Sequence, residues 1–259
     1  MTTSLGDTTG PAVTRAAQIF WSRYFGVYDT LNQARPYQAM IARQVELLAP
    51  AAGDRVLDAG TGSGNLAAAL VRTGARVVGI DFCEPAFALA REKAPGATFQ
   101  FGDLTRPLAF GDAEFDLVAC SAVLHVLNRD EQRFAIGELA RVLRPGGRLV
   151  VTAFATGFSA IAVYLETLRA ERSARGVPAT VGFGLRYSWN TTRVLYYVWR
   201  IQRQQRRGAY AYVDEAGLGA LLTAAGLQPR AFDRTLAGQC VTALAIKQAS
   251  PSNPAPEPR

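Results

Sequence analysis

The 259-residue sequence predicts an α/β fold, an open and mostly parallel sheet with helices on both faces. Three observations carry that prediction. Short apolar runs alternate with helical patterns from Arg55 to Phe154, and strands joined through helices pair in parallel with right-handed crossovers. The first run, Val56-Leu57-Asp58, ends in a carboxylate directly before Gly60, Gly62 and Gly64. Glycine lets the backbone approach a ligand with no Cβ in the way, and the helix that follows offers unpaired N–H groups. Acidic residues then recur at the ends of successive strands, as Asp58, Asp81 and Asp103. Open α/β sheets bind ligands beyond the carboxyl ends of their strands, so a small molecule is expected there.

Hydrophobic residues make up 49% and charged residues 19% of the chain, an ordinary globular composition with enough length for one large core. No apolar run approaches the roughly 18 residues of a membrane span, and the polar opening has no signal-peptide core. A cytoplasmic location is the expectation. Cys83, Cys120 and Cys240 are widely separated and His125 is the single histidine, so no metal site is expected. The net charge of +7 leaves two readings. One is an anionic partner, nucleic acid or a lipid surface; the other is arginine-rich coding without a partner.

Residues 1–15 and 249–259 cannot bury enough apolar surface to offset their ordering entropy and are expected to be disordered. That leaves 16–248 as a single domain. Helices are expected over 16–25 and 36–48, the second opened by Pro36 and striped by Ile41, Val45 and Leu48. Standing before the glycine turn, residues 16–49 are read as a helical lid that Trp21, Tyr24, Tyr28 and Tyr37 could line, the three tyrosines as candidate substrate contacts; the alternative for each is plain packing. Strand 55–58 leads to helix 64–72, strand 76–81 to helix 85–93, then a short strand at 98–101. Strand 115–120, helix 129–143 and strand 147–154 follow, the last after the turn Arg144-Pro145-Gly146-Gly147.

After Phe154 the rhythm breaks. Residues 157–213 are read as a helical cap, with helical segments at 160–173 and 191–207 and a Gly/Pro interruption at 176–184. Helix 214–225 and strands 228–234 and 240–247 resume the core. In the second cap segment Val194, Val198 and Ile201 share one face, while Arg193, Arg200 and Arg207 recur every seven residues. A helix of this kind closes over an apolar acceptor, with Tyr197 as a candidate contact, or makes peripheral contact with an anionic membrane through 191–207.

Asp81 closes Val77-Val78-Gly79-Ile80-Asp81, where a carboxylate accepts from both hydroxyls of a ribose; the alternative is a cap on the next helix. Phe82 beside it can pack on an adenine face. In Gly102-Asp103-Leu104 the carboxylate can accept from an adenine amino group while the Leu104 N–H donates to a ring nitrogen.

In this order the motifs resemble those of the class I S-adenosylmethionine-dependent methyltransferases. Val56 to Gly64 is similar to the family's first motif, Gly79-Ile80-Asp81 to its second, and Gly102-Asp103-Leu104 to its adenine-binding one. Phe115-Asp116-Leu117-Val118 resembles the fourth strand, and Leu143 to Leu149 the entry to the fifth. The resemblance implies a Rossmann-like, seven-stranded sheet in the order 3-2-1-4-5-7-6, the last strand antiparallel, with the cap inserted between strands five and six. It implies S-adenosylmethionine as cofactor and S-adenosylhomocysteine as product. The methionine end would lie over the turn at Gly60, Gly62 and Gly64, its amino group meeting backbone oxygens near Gly60 and Cys120, with Asp58 contributing electrostatically. Methyl transfer would be in line, so catalysis is largely orientation and exclusion of water.

His125 stands where the family's acceptor-facing loop begins and is the candidate general base; the alternative is packing. Tyr28-Asp29-Thr30-Leu31-Asn32 resembles the Tyr-Asp-x-x-Asn start of quinone-ring C-methyltransferases. The expected acceptor is small and largely apolar, whether aromatic, quinone or lipid-like, and O-, N- and C-methylation stay open. Two other functions stay open. A nucleic-acid methyltransferase would use the basic surface, but Cys120-Ser121-Ala122-Val123 stands where amino-methylating enzymes have Asn/Asp-Pro-Pro-aromatic, so no nucleic-acid partner is expected. A non-catalytic module would bind the cofactor without turnover.

Overall fold

A computed structural model of the chain describes residues 15–28, 32 and 34–248. Of the termini expected to be disordered, 1–14 and 249–259 lie outside the described residues, and Arg15 opens the first helix. Residues 29–31 and the side chain of Tyr28 also lie outside them.

Two helices come first, α1 (Arg15–Tyr28) and α2 (Arg35–Leu48). The core then runs β1 (Arg55–Ala59), α3 (Asn65–Val71), β2 (Arg76–Asp81), α4 (Phe87–Lys93), β3 (Thr98–Phe101), β4 (Phe115–Ser121), α5 (Arg129–Val142) and β5 (Leu143–Phe154). The long helix α6 (Ala160–Arg206) precedes α7 (Glu215–Ala224), β6 (Leu227–Thr235) and β7 (Cys240–Lys247). The seven strands form one sheet in the order β3-β2-β1-β4-β5-β7-β6, as the resemblance implied. The pairings from β3 across to β5 are parallel, and β7 runs antiparallel to both β5 and β6.

Because side chains alternate across a strand, the central strands feed two cores. Leu57, Val118 and Val151 face α5 and α7, where Ile136, Leu139, Leu218 and Leu222 meet them. Val56, Leu117 and Val150 face α2 and α3, against Met40, Leu48 and Leu70. Each of these large side chains contributes roughly 1.5–3 kcal/mol by leaving water. That double burial is why β1, β4 and β5 read as nearly continuous apolar runs.

The fold differs from the sequence reading at two places. The interruption expected across 176–184 is narrower: α6 (Ala160–Arg206) is two helical segments that meet at a kink, with non-helical backbone only at Gly176 (φ 81°, ψ −180°). Pro178 lies two residues after that break, in the first turn of the second segment, where its missing N–H costs no hydrogen bond, and the later glycines stay helical. The expected turn at 144–147 belongs to β5. Leu143 pairs with Phe115 and Arg148 with Leu117, so the intervening residues form a bulge whose Gly146 takes φ 74°.

The loop after β4 is fixed from two sides. Asn128 caps α5 by accepting from the N–H groups of Asp130 and Glu131, while Glu131 accepts from the Asn128 N–H. Fully buried Gln132 donates from Nε2 to the carbonyls of Leu124 (2.8 Å) and Ala211 (2.6 Å). This clamp fastens the segment carrying His125 to the chain that returns from α6.

Candidate active site

β1 ends in a turn that glycine alone can make at its first position. Gly60 has φ 78°, and a side chain there would overlap Val123. A Cβ on Gly62 would lie 2.8 Å from the Phe25 ring, so α1 rests directly on the turn. The turn is tied to β2 by the N–H groups of Gly60 and Thr61, both donating to the Ile80 carbonyl.

Asp81 completes the connection. One carboxylate oxygen accepts from the Gly62 N–H at 2.9 Å and the other from the Cys83 N–H at 2.8 Å. Burial pushes the Asp81 pKa up, and the N–H groups of Cys83 and Gly62 oppose that shift. Asp103 accepts through Oδ1 from the Thr105 N–H (2.9 Å) and hydroxyl (2.7 Å), with the Arg106 guanidinium 3.7 Å from Oδ2.

Asp58 is the most enclosed of the three. It accepts from the Thr61 hydroxyl at 2.7 Å, and burial pushes its pKa up to about 6 against the pull of that hydroxyl and of the Ala67 N–H, with the Asp81 charge raising it further.

The structure gathers Asp58, Gly60, Gly62, Asp81, Phe82, Asp103 and Leu104 around one cleft of about 400 Å³ at the carboxyl ends of β1 to β4. Two candidates lie outside its lining. Gly64 packs on α4, where a Cβ would come 2.8 Å from the Ala90 Cα. Cys120 is buried within β4, its thiol pushed up to about 12 by burial and by the Asp58 charge. Ser121, Ala122 and Val123 line the cleft from that side instead, with Ala122 held at φ 55°, a left-handed value costly for a residue with a side chain. The backbone cradle at Gly60 and the buried acidic series fit a nucleoside that carries a cationic amino-acid end.

A second, largely apolar chamber adjoins the cleft. Tyr24, Tyr37, His125 and Phe154 line both spaces, and Phe158, Tyr164 and Val198 help to enclose the chamber. The His125 ring meets Phe154 edge-on with centroids 4.3 Å apart. Burial pushes its pKa down to about 3, and its Nδ1 is buried with no hydrogen-bond partner among the described residues. Tyr24 is buried, and burial pushes its hydroxyl pKa up. Tyr197 does not line the chamber. It is buried where α1 meets α6, with ring centroids 5.4 Å from Phe20 and 5.6 Å from Tyr24. Phe154, Phe158, Tyr164 and Tyr212 are chamber residues that sequence motifs do not mark; a cluster of aromatics near the fifth strand and the cap was the available signal.

The raised pKa of Asp58 makes a prediction about the ligand-free protein. A folded-state value of about 6 against the ordinary aspartate value of 3.8 gives a stabilising contribution that is present below pH 4 and lost as the pH rises through 6. The loss is on the order of 3 kcal/mol. Urea denaturation should show Asp58→Asn losing less stability than wild type between pH 4 and pH 7. Equal losses would contradict the raised value.

Residues 57–151 match the family model of a methyltransferase domain. The chain is 33% identical over 219 residues to a demethylmenaquinone methyltransferase of Thermus thermophilus, covering 78% of this chain and 89% of that relative. It is 42% identical over 112 residues to the demethylmenaquinone methyltransferase of Clavibacter sepedonicus, where the match spans 42% of this chain and 44% of the relative's length. Among solved structures, the N-methyltransferase NodS of Bradyrhizobium japonicum, in complex with S-adenosylhomocysteine, aligns with a TM-score of 0.60 at 16% identity, covering 88% of this chain and 97% of that one. The 1,6-didemethyltoxoflavin-N1-methyltransferase of Burkholderia thailandensis aligns with a TM-score of 0.59 at 19% identity, covering 94% of each chain. At these identities the structures speak for the fold, and the Thermus relative speaks for the family. The chain belongs to the class I S-adenosylmethionine-dependent methyltransferases, and S-adenosylmethionine is its cofactor.

Proposed function

We propose that the protein methylates a small, largely apolar acceptor, an aromatic or quinone-like ring, held in the chamber behind His125. One observation carries the reading: the chamber and the cofactor cleft share a wall made of Tyr24, Tyr37, His125 and Phe154. A ligand in one space therefore touches the residues that touch a ligand in the other. The relatives named demethylmenaquinone methyltransferases and the Tyr28-to-Asn32 resemblance support a ring-shaped acceptor.

The bound cofactor supplies an electrophilic methyl on a sulfonium centre. Asp81, whose carboxylate already accepts from the Gly62 and Cys83 N–H groups, would hold the ribose hydroxyls. Phe82 would pack on the adenine, while Asp103 and the Leu104 N–H would serve its polar edge. Asp58, next to the turn at Gly60 and Gly62, would face the cationic end. His125, with a pKa near 3, is neutral through the physiological range, so its ring accepts or donates one hydrogen bond without carrying charge. An acceptor hydroxyl bonded to it is oriented in the apolar chamber; full proton abstraction by so weak a base is uphill. The aromatic walls and α1 exclude water, which strengthens each of these interactions.

The direct test offers a reduced naphthoquinone in detergent micelles and, in parallel, RNA and DNA, each with radiolabelled S-adenosylmethionine. Label is expected in the extracted ring, and label found in RNA or DNA alone would overturn the reading. Asp81→Ala should weaken cofactor binding by roughly 1.5–3 kcal/mol, about 10- to 150-fold, since a charged acceptor is lost. An unchanged affinity by calorimetric titration would remove the ribose assignment. His125→Ala should leave cofactor affinity within about twofold and lower kcat/KM for the acceptor roughly 10- to 100-fold, the value of one buried hydrogen bond. Unchanged turnover would assign the histidine to packing.

A further inference from the structure

We propose that the outward face of α6 between Leu195 and Arg207 docks on an anionic phospholipid bilayer, and that the acceptor enters the chamber from that bilayer beside Leu195. The second clause rests on the apolar-acceptor reading; the first does not.

The charge distribution is the first observation. Residues 172–213 contain eight arginines and no Asp, Glu or Lys, while the rest of the chain holds twenty basic and twenty-one acidic residues. The net charge of +7 is therefore a property of this one segment. Arginine-rich coding alone would spread arginines along the chain and would not remove carboxylates from 42 consecutive positions.

The second observation is how the helix presents those charges. Val194, Tyr197 and Ile201 are buried against α1. On the opposite arc Leu195, Tyr196 and Trp199 are 37%, 52% and 54% exposed, and Arg203, Arg206 and Arg207 are exposed with them. Tyr196 and Trp199 stack at 6.4 Å, and the Arg203 guanidinium lies 5.6 Å from the Trp199 ring. Amphipathic rings flanked by guanidinium groups match the boundary between headgroups and acyl chains, where rings bury their apolar bodies and arginines meet lipid phosphates. Among the described residues no helix is long and apolar enough to cross a membrane, so the contact proposed is a surface one.

The third observation links surface to site. Leu195 lines the chamber and is exposed on the same arc, so the chamber's wall reaches the docking face there. The proposed route takes an apolar ring from lipid to chamber past Leu195.

Sedimentation with phosphatidylcholine vesicles, with and without phosphatidylglycerol, tests the docking. The full chain is expected to pellet with the phosphatidylglycerol vesicles, less so as salt rises, and to stay in solution with phosphatidylcholine alone. Arg203→Gln and Arg206→Gln should each weaken binding roughly fivefold, and Trp199→Ala should weaken it further, with melting temperature and S-adenosylhomocysteine affinity as in wild type. Failure to bind anionic vesicles, binding unaffected by the three substitutions, or tighter binding to RNA lost through the same substitutions would overturn the proposal. Because vesicle binding needs no acceptor, loss of methyl transfer to rings with vesicle binding intact would count against the proposed function alone.

Discussion

The bonds from the Asp81 carboxylate to the Gly62 and Cys83 N–H groups hold the site together. They span two strands, joining the turn after β1 to the loop after β2, and they do so with a charged acceptor inside a buried pocket. Charge-assisted bonds of this kind are about twice as strong as neutral ones, and they hold the turn in its left-handed backbone. Everything else in the cleft is placed relative to that joint. Phe25 lies on Gly62, Trp21 meets Phe82, and Gln18 donates to the Phe82 carbonyl, so α1 is seated by the same residues.

The two ligand spaces differ in character, and the difference divides the chemistry. The cleft carries three buried carboxylates, whose negative field suits a cationic cofactor. The chamber offers aromatic and aliphatic walls and one neutral imidazole. Burial shifts Asp58 upward and His125 downward for one reason: each is penalised in its charged form. On the proposed reading a cationic cofactor would restore the charge of Asp58, whereas an apolar acceptor would leave His125 neutral. The proposed division, charge for the donor and shape for the acceptor, follows from that contrast.

The sheet was legible because its signals are local. Apolar runs, glycine turns and strand-end carboxylates each mark a position without knowledge of the rest, and the resemblance supplied the strand order that local signals lack. Roles that depend on packing were less visible. Gly64 and Cys120 sit in motifs, yet one is spent on Ala90 and the other faces the interior of the sheet. Phe158 and Tyr212 meet in the chamber only after α6 has turned the chain around, and no spacing records that. The single break at Gly176 was hidden among several glycines and a proline, since helix propensity ranks residues without saying which one the tertiary structure will use.

The claim on which the rest turns is that the acceptor occupies the chamber behind His125 while the cofactor occupies the cleft. Filling the chamber tests it most directly, through Val198→Trp on α6, a residue that lines the chamber and not the cleft. Steady-state kinetics with a reduced naphthoquinone should show KM for the ring rising at least about tenfold, the cost of roughly 1.4 kcal/mol of lost contact, with S-adenosylhomocysteine affinity unchanged. An unchanged KM in a variant with wild-type melting temperature would place the acceptor elsewhere and contradict the account.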